Sequence, residues 1–213
     1  MHKISLVEPH FWQQLIEKCQ NLSTSYPRID QYTSIGADIF VFVYPIFLVI
    51  LYGKGLLNKK KEQKEGALFI FFACLISTLI NIGVQCFFQK ERPIVELSHL
   101  DTEETMLHDY LPESSFPSDH AVVSMSFAMA TLLRGYKVKN KKIIFAGYCL
   151  IVISLLMCSC RVLTLVHRPT DILWGMSLAI MVVTLLSLNP IYKLLKKFLI
   201  TPCINLQEKI FKR

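Results

Sequence analysis

The chain has 213 residues, 53% of them hydrophobic and 18% charged, with a formal net charge of +7. Its apolar residues run in long blocks that a soluble domain of this size would break with charges, so the composition points to an integral membrane protein. The basic excess does not favour nucleic acid: no basic helix with interleaved aromatics occurs, and the lysines cluster between the apolar blocks.

From the N-terminus, residues 1–32 lack an apolar core of signal-peptide length, and Glu8 and Glu17 interrupt the stretch. Residues 9–22 place Phe11, Trp12, Leu15, Ile16, Cys19 and Leu22 along one helical face, with Pro9 suited to a first turn. This pattern fits an amphipathic helix on the membrane surface, or one packed on the bundle. Five segments then approach the length needed to cross a bilayer, at about 33–53, 66–88, 118–134, 142–163 and 170–189. The third is the shortest and the least apolar. The expected architecture is an all-α integral membrane protein of five transmembrane helices plus an N-terminal interfacial helix. It forms a single domain over 1–213, with an interfacial segment 1–32, a five-span core 33–189 and a basic tail 190–213.

The loops set the expected orientation. Lys54, Lys59, Lys60, Lys61 and Lys64 lie between the first two spans, and Arg134, Lys137, Lys139, Lys141 and Lys142 between the third and fourth. The tail adds Lys193, Lys196, Lys197, Lys209, Lys212 and Arg213. All three segments fall on one side, cytoplasmic by the positive-inside rule, with the N-terminus outside and the C-terminus inside. The opposite loop, 89–117, carries Glu91, Glu96, Asp101, Glu103, Glu104, Asp109 and Glu113 and reads as a solvated connector. The seven cysteines fall mostly inside apolar blocks, and Cys158 and Cys160 lack a second pair to complete a zinc site, so neither a structural metal nor a disulfide framework is expected.

Polar residues concentrate at the outer ends of spans two to five: Arg92, Ser118, Asp119, His120, Arg161, His167 and Asp171. Ionisable groups at membrane depth are costly and usually functional. Pro117 suits a first helical turn, so backbone amides near Ser118 to His120 can face an anion, and Ser118 adds a hydroxyl. Arg92 and Arg161 can each grip phosphate oxygens with two hydrogen bonds. Asp171 lies one turn beyond His167 on the same face, where its carboxylate can hold one imidazole nitrogen and leave the other to attack. His120 can protonate a leaving oxygen. Together these form a phosphoryl-transfer site that needs neither metal nor cofactor.

Arg92-Pro93, Pro117-Ser118-Asp119-His120 and the set Arg161, His167 and Asp171 resemble the three signature motifs of the type 2 phosphatidic acid phosphatase family, over about residues 30–190. The resemblance implies a phosphohistidine on His167 oriented by Asp171, His120 as acid and then base, and a phosphate held by Arg92, Ser118 and Arg161. Three positions depart from the usual pattern. Gln85 stands where the family has a lysine, Asp119 where glycine is common, and Cys160 where serine precedes the arginine. The first two departures, with the Arg92–Glu96 run, resemble the bacterial undecaprenyl-pyrophosphate phosphatase branch. That branch makes Gln85 and Asp119 candidates near the phosphate and Glu96 a minor one.

The implied activity is hydrolysis of undecaprenyl pyrophosphate at the outer face of a bacterial inner membrane, with the lipid and the bilayer as partners and no nucleic acid. Phosphatidylglycerophosphate, phosphatidate or a lipid A phosphate are alternative substrates, and a lipid acceptor in place of water would make a phosphotransferase. A lipid-phosphate binding or transport protein is the non-enzymatic alternative. Singly, each histidine reads as structural, Arg92 as an interfacial anchor and Asp119 as a charge complementing a helix dipole; His10 and His108 read as surface residues. Their joint location and spacing favour a site.

Overall fold

In a computed structural model the described residues are 4–5, 10–26, 32–33, 35–37, 39–90, 114–164 and 166–211. They form α1 (His10–Ser25), α2 (Val43–Leu57, entered through a 3₁₀ turn at Phe40–Phe42), α3 (Lys61–Phe87), α4 (Asp119–Lys137), α5 (Lys141–Leu163) and α6 (Pro169–Ser187). The chain then continues as α7 (Asn189–Leu195), a π turn at Lys196–Ile200, and α8 (Thr201–Phe211). A two-residue parallel ladder joins β1 (Ile4–Ser5) to β2 (Phe88–Gln89).

Among the described residues, four helical stretches are long and apolar enough to cross a membrane: Ile35–Leu57, Lys61–Phe87, Lys141–Leu163 and Pro169–Ser187. The third expected span, α4, is helical but is not among them. Its position explains its composition. It packs against α3, α5 and α6, and Ser124, Ser126 and Thr131 on it are fully buried against protein. A helix enclosed by other helices needs close packing and satisfied hydroxyls more than an apolar surface. Ser124 Oγ meets Ser154 Oγ of α5 at 2.7 Å, and Thr131 Oγ1 donates to the Phe127 carbonyl at 2.8 Å. The apolar core centres on Tyr44, Phe69, Ile70, Phe127 and Val183.

The second span begins earlier than its apolar run suggests, because Lys61–Glu65 continue the helix. What looks like a long basic loop is a turn at 58–60. The α4–α5 turn at 138–140 has the same form: Lys59 and Lys139 both adopt φ 53°, and the next amide reaches back to a glycine carbonyl, Lys60 to Gly55 and Asn140 to Gly135. Such tight turns make α2–α3 and α4–α5 antiparallel hairpins.

The expected basic tail is folded. Ile200 and Ile204 are completely buried in the main core, while Lys196 pairs with Glu65 at 2.7 Å and Lys64 with Glu208 at 3.0 Å. Arg134 is also tied down, by the Tyr192 hydroxyl at 3.2 Å and the Glu62 carbonyl at 3.1 Å. Several lysines and arginines counted toward topology thus close this end of the bundle. α1 packs against α5 with Cys19 buried and Phe11 69% exposed, so the predicted apolar face is divided between protein contact and surroundings.

Candidate active site

At the other end of the bundle, the end of α3, the starts of α4 and α6 and the end of α5 meet. Each is stitched to the next by hydrogen bonds. The segment 114–118 enters α4 with its backbone anchored on both sides: the Ser115 amide donates to the Lys90 carbonyl at 2.9 Å, and the Ser118 amide to the Asp171 carbonyl at 3.1 Å. Phe116 is buried between Phe88 and Trp174, with ring centroids 6.1 and 6.2 Å away. Gly175 allows the close approach of α6, since a Cβ there would lie 2.9 Å from the Ser118 carbonyl oxygen. The Ser118 amide is therefore committed to Asp171 and does not face an anion as expected. The first intrahelical bond of α4 runs from the Val122 amide to the Ser118 carbonyl, so any amide donation must come from the turn after Ser118. The Ser118 hydroxyl is fully buried and has no hydrogen-bond partner among the described residues.

Arg161 joins the two histidines. Its Nη2 lies 2.6 and 2.7 Å from the ring nitrogens of His120, while its carbonyl accepts the His167 amide at 3.2 Å. That backbone bond ties the chain just beyond the end of α5 back to its last turn and so brings His167 close to Arg161. His167 is 5% exposed, and its Nδ1 lies 3.1 Å from the Ser115 carbonyl, which can only accept. Nδ1 therefore carries a hydrogen, and in the neutral ring the lone pair resides on Nε2.

Asp171 is completely buried, but its relation to His167 differs from expectation: Oδ2 stands 3.9 Å from Nδ1, beyond hydrogen-bond length. The carboxylate is drawn elsewhere. Oδ2 accepts the Arg168 amide at 2.9 Å, capping α6, and Oδ1 pairs with Lys90 Nζ at 2.7 Å. Lys90, itself 5% exposed, also donates to the Thr170 hydroxyl and lies 5.7 Å from the centre of the Phe116 ring. Sequence reasoning did not single out Lys90. A signal was available, because it is the one lysine between Lys64 and Lys137, at the end otherwise poor in them.

Gln85 also differs from its expected part as a phosphate neighbour. Its Nε2 donates to the Pro117 carbonyl at 2.9 Å and to Asp119 Oδ1 at 3.0 Å, and Asn81, one turn earlier, donates to the same two oxygens at 3.3 and 2.7 Å. The two amides clamp the entrance of α4, so Gln85 and Asp119 shape the site from behind. A neutral amide inside an apolar helix makes this clamp without the desolvation cost of a buried ammonium. Cys160 faces away, with its Sγ 3.3 Å from where a Gly36 Cβ would be, and packs as a small residue. Arg92, Glu96 and His108, with the acidic stretch 91–113, lie outside the described residues.

The start of α4 and the Arg161 guanidinium meet here beside two imidazoles, an environment suited to a compact anion, while the Lys90 ammonium and the start of α6 are engaged by Asp171. Fold and site together define a multi-pass helical membrane protein with an anion-receptive polar end. The family model described as PAP2 superfamily matches residues 66–193, more than half of the chain, and includes every described site residue. The chain belongs to the PAP2 superfamily. It is also similar to an Escherichia coli (strain K12) protein named "Putative undecaprenyl-diphosphatase YbjG", 29% identical over 142 residues, or 67% of this chain. The match spans 63% of that protein, less than two thirds of its length. No solved structure matches the chain significantly.

Proposed function

We propose that the chain is a membrane phosphatase that hydrolyses undecaprenyl pyrophosphate to undecaprenyl phosphate and inorganic phosphate through a phosphohistidine on His167. The observation that carries this reading is the double link made by Arg161, whose side chain contacts His120 and whose carbonyl holds the His167 amide. One residue thereby couples a cation for phosphate oxygens to two imidazoles suited to opposite roles.

His167 Nε2 attacks the terminal phosphorus, and the phosphorus–oxygen bond to undecaprenyl phosphate breaks with its electron pair on that oxygen. His120 gives the leaving oxygen a proton. Water then attacks the phosphohistidine and passes a proton to His120, the phosphorus–nitrogen bond breaks, and phosphate departs. Arg161, Ser118 and the start of α4 hold the phosphoryl oxygens, joined by Arg92, with Glu96 a minor site candidate that has no part in gripping them. No step is assigned to a metal or a cofactor. The isoprenoid tail stays in lipid while the diphosphate reaches the helix ends. The similarity to the Escherichia coli protein supports this lipid among phosphorylated membrane lipids. In the same reading α4 is a fifth span, the lysine-rich end faces the cytoplasm, and the site faces outward from a bacterial inner membrane, where it recycles the cell-wall lipid carrier.

The test is phosphate release from undecaprenyl pyrophosphate by the detergent-solubilised protein, with and without excess EDTA, beside His167→Ala. Phosphatidate and phosphatidylglycerophosphate are run in parallel. EDTA-resistant release abolished by His167→Ala is expected. Release from another lipid alone would reassign the substrate, and binding without turnover would replace the enzyme by a lipid-phosphate binding protein.

A further inference from the structure

Asp171 is shared unequally. Oδ1 is 2.7 Å from Lys90 Nζ, whereas Oδ2 is 3.9 Å from His167 Nδ1, and both the lysine and the carboxylate are almost fully removed from solvent. A buried carboxylate alone beside an imidazole would draw a second proton onto the ring, and an imidazolium has no lone pair with which to attack phosphorus. A buried ammonium at ion-pair distance cancels that pull.

We propose that Lys90 is a positioning residue for phosphoryl transfer: by pairing with Asp171 it neutralises the carboxylate beside His167, so the imidazole remains uncharged and nucleophilic. This inference rests on His167 being the nucleophile. Lys90 is suited to the task because it is fixed on every side. Its amide meets Ser114 Oγ at 3.2 Å, its carbonyl accepts the Ser115 amide at 2.9 Å, and its ammonium is held by Thr170 and Asp171. Ser115 in turn orients His167 through its carbonyl, so the lysine sets both the position of the ring and the charge beside it. The other ionisable groups described on the elements that meet at this end of the bundle are His120 and Asp119 at the start of α4, Arg161 at the end of α5, and Arg168 at the N-cap of α6. Asp119 is engaged by Asn81 and Gln85, and Arg161 faces His120. Asp171 is thus the carboxylate that stands 3.9 Å from His167 Nδ1, and Lys90 is its buried counter-ion.

The experiment is the pH dependence of kcat/KM for the wild type, Lys90→Met, Lys90→Arg and the double variant Lys90→Met/Asp171→Asn. The acidic limb reports the proton that must leave His167 before attack. Removing the ammonium alone leaves the carboxylate unopposed, so the limb of Lys90→Met moves to higher pH by about one unit or more. Its activity is regained in part at alkaline pH, and Lys90→Arg keeps the wild-type limb. The double variant removes both charges and returns the limb to its wild-type position at a lower rate. It also keeps the test decisive if Lys90→Met, with an unpaired buried carboxylate, does not fold. A rate loss at all pH values with an unmoved limb in Lys90→Met would overturn the inference, as would a limb moved up by a unit in the double variant. Full activity of His167→Ala would instead remove the nucleophile assignment on which it rests.

Discussion

Gln85 and Asp119 are bound side chain to side chain, Nε2 to Oδ1 at 3.0 Å, across the interface between α3 and α4. Asn81 reaches the same carboxylate oxygen at 2.7 Å, and both amides also hold the Pro117 carbonyl. This pair of amides fixes where α4 begins, and with it the position of His120. Gln85→Leu is expected to lower kcat about 10²-fold, the scale of a misplacement near one ångström. Asn81→Leu/Gln85→Leu should lower it further, while Asp119→Asn, which keeps an acceptor oxygen, should be milder than Asp119→Ala. Turnover of purified variants with matched far-UV circular dichroism provides the check.

Ser118 separates binding from stability. Its hydroxyl is fully buried without a hydrogen-bond partner among the described residues, so removing it relieves a desolvation cost of about 1–3 kcal/mol. Ser118→Ala should unfold at the same temperature as the wild type or a higher one. Inhibition by inorganic phosphate should weaken about 10-fold or more, because a hydrogen bond to a charged group is lost. Thermal unfolding in detergent and a phosphate inhibition series measure the two effects separately.

The leaving group tests His120. A phosphate monoester of an alcohol departs as an alkoxide and depends strongly on proton donation, whereas a diphosphate departs as a phosphate oxyanion and depends on it less. His120→Ala should cost about 10²–10⁴-fold on phosphatidate and clearly less on undecaprenyl pyrophosphate. Equal losses on both lipids would count against His120 as the general acid.

At the lysine-rich end, packing and charge should differ in weight. Ile204 is completely buried in the main core, and Ile204→Ala should cost about 2–5 kcal/mol of stability. Glu65→Gln breaks the pair with Lys196, whose side chain is 41% exposed, and should cost about 1 kcal/mol or less after solvent screening. Neither change touches the site, so the rate per folded molecule should hold in both.

The helices were readable because long apolar runs bounded by basic turns have few other solutions, and the α6 start was readable from Pro169 followed by Asp171. Although Pro117 precedes the N-cap Ser118 instead of lying in the first turn of α4, and His167 stands just before α6, the grouping of His120, Arg161, His167 and Asp171 at one end of the bundle was readable through spacing. Their partners were not, because those depend on tertiary approach. Lys90 beside Glu91 and Arg92 looks like one more interfacial charge until α6 brings Asp171 against it. Gln85 looks like a weakened phosphate ligand until Asn81 is seen beside it, although two amides one turn apart inside an apolar run were a visible sign of a buried partner. The folded tail was hidden by its lysines, which masked Ile200 and Ile204 at helical spacing.

The enclosure of α4 bears on how the protein is made. The helix that starts at Asp119 and bears His120 also carries Arg134 and several hydroxyls, and on its own it would partition poorly into hydrocarbon. The short turn at 138–140 ties it to α5, one of the most apolar helices in the chain. In the five-span reading proposed above, α4 emerges first during synthesis, so its stable entry into lipid would wait until α5 follows and the two insert as a hairpin. The helix that bears His120 would then be the one whose biogenesis depends on its neighbour.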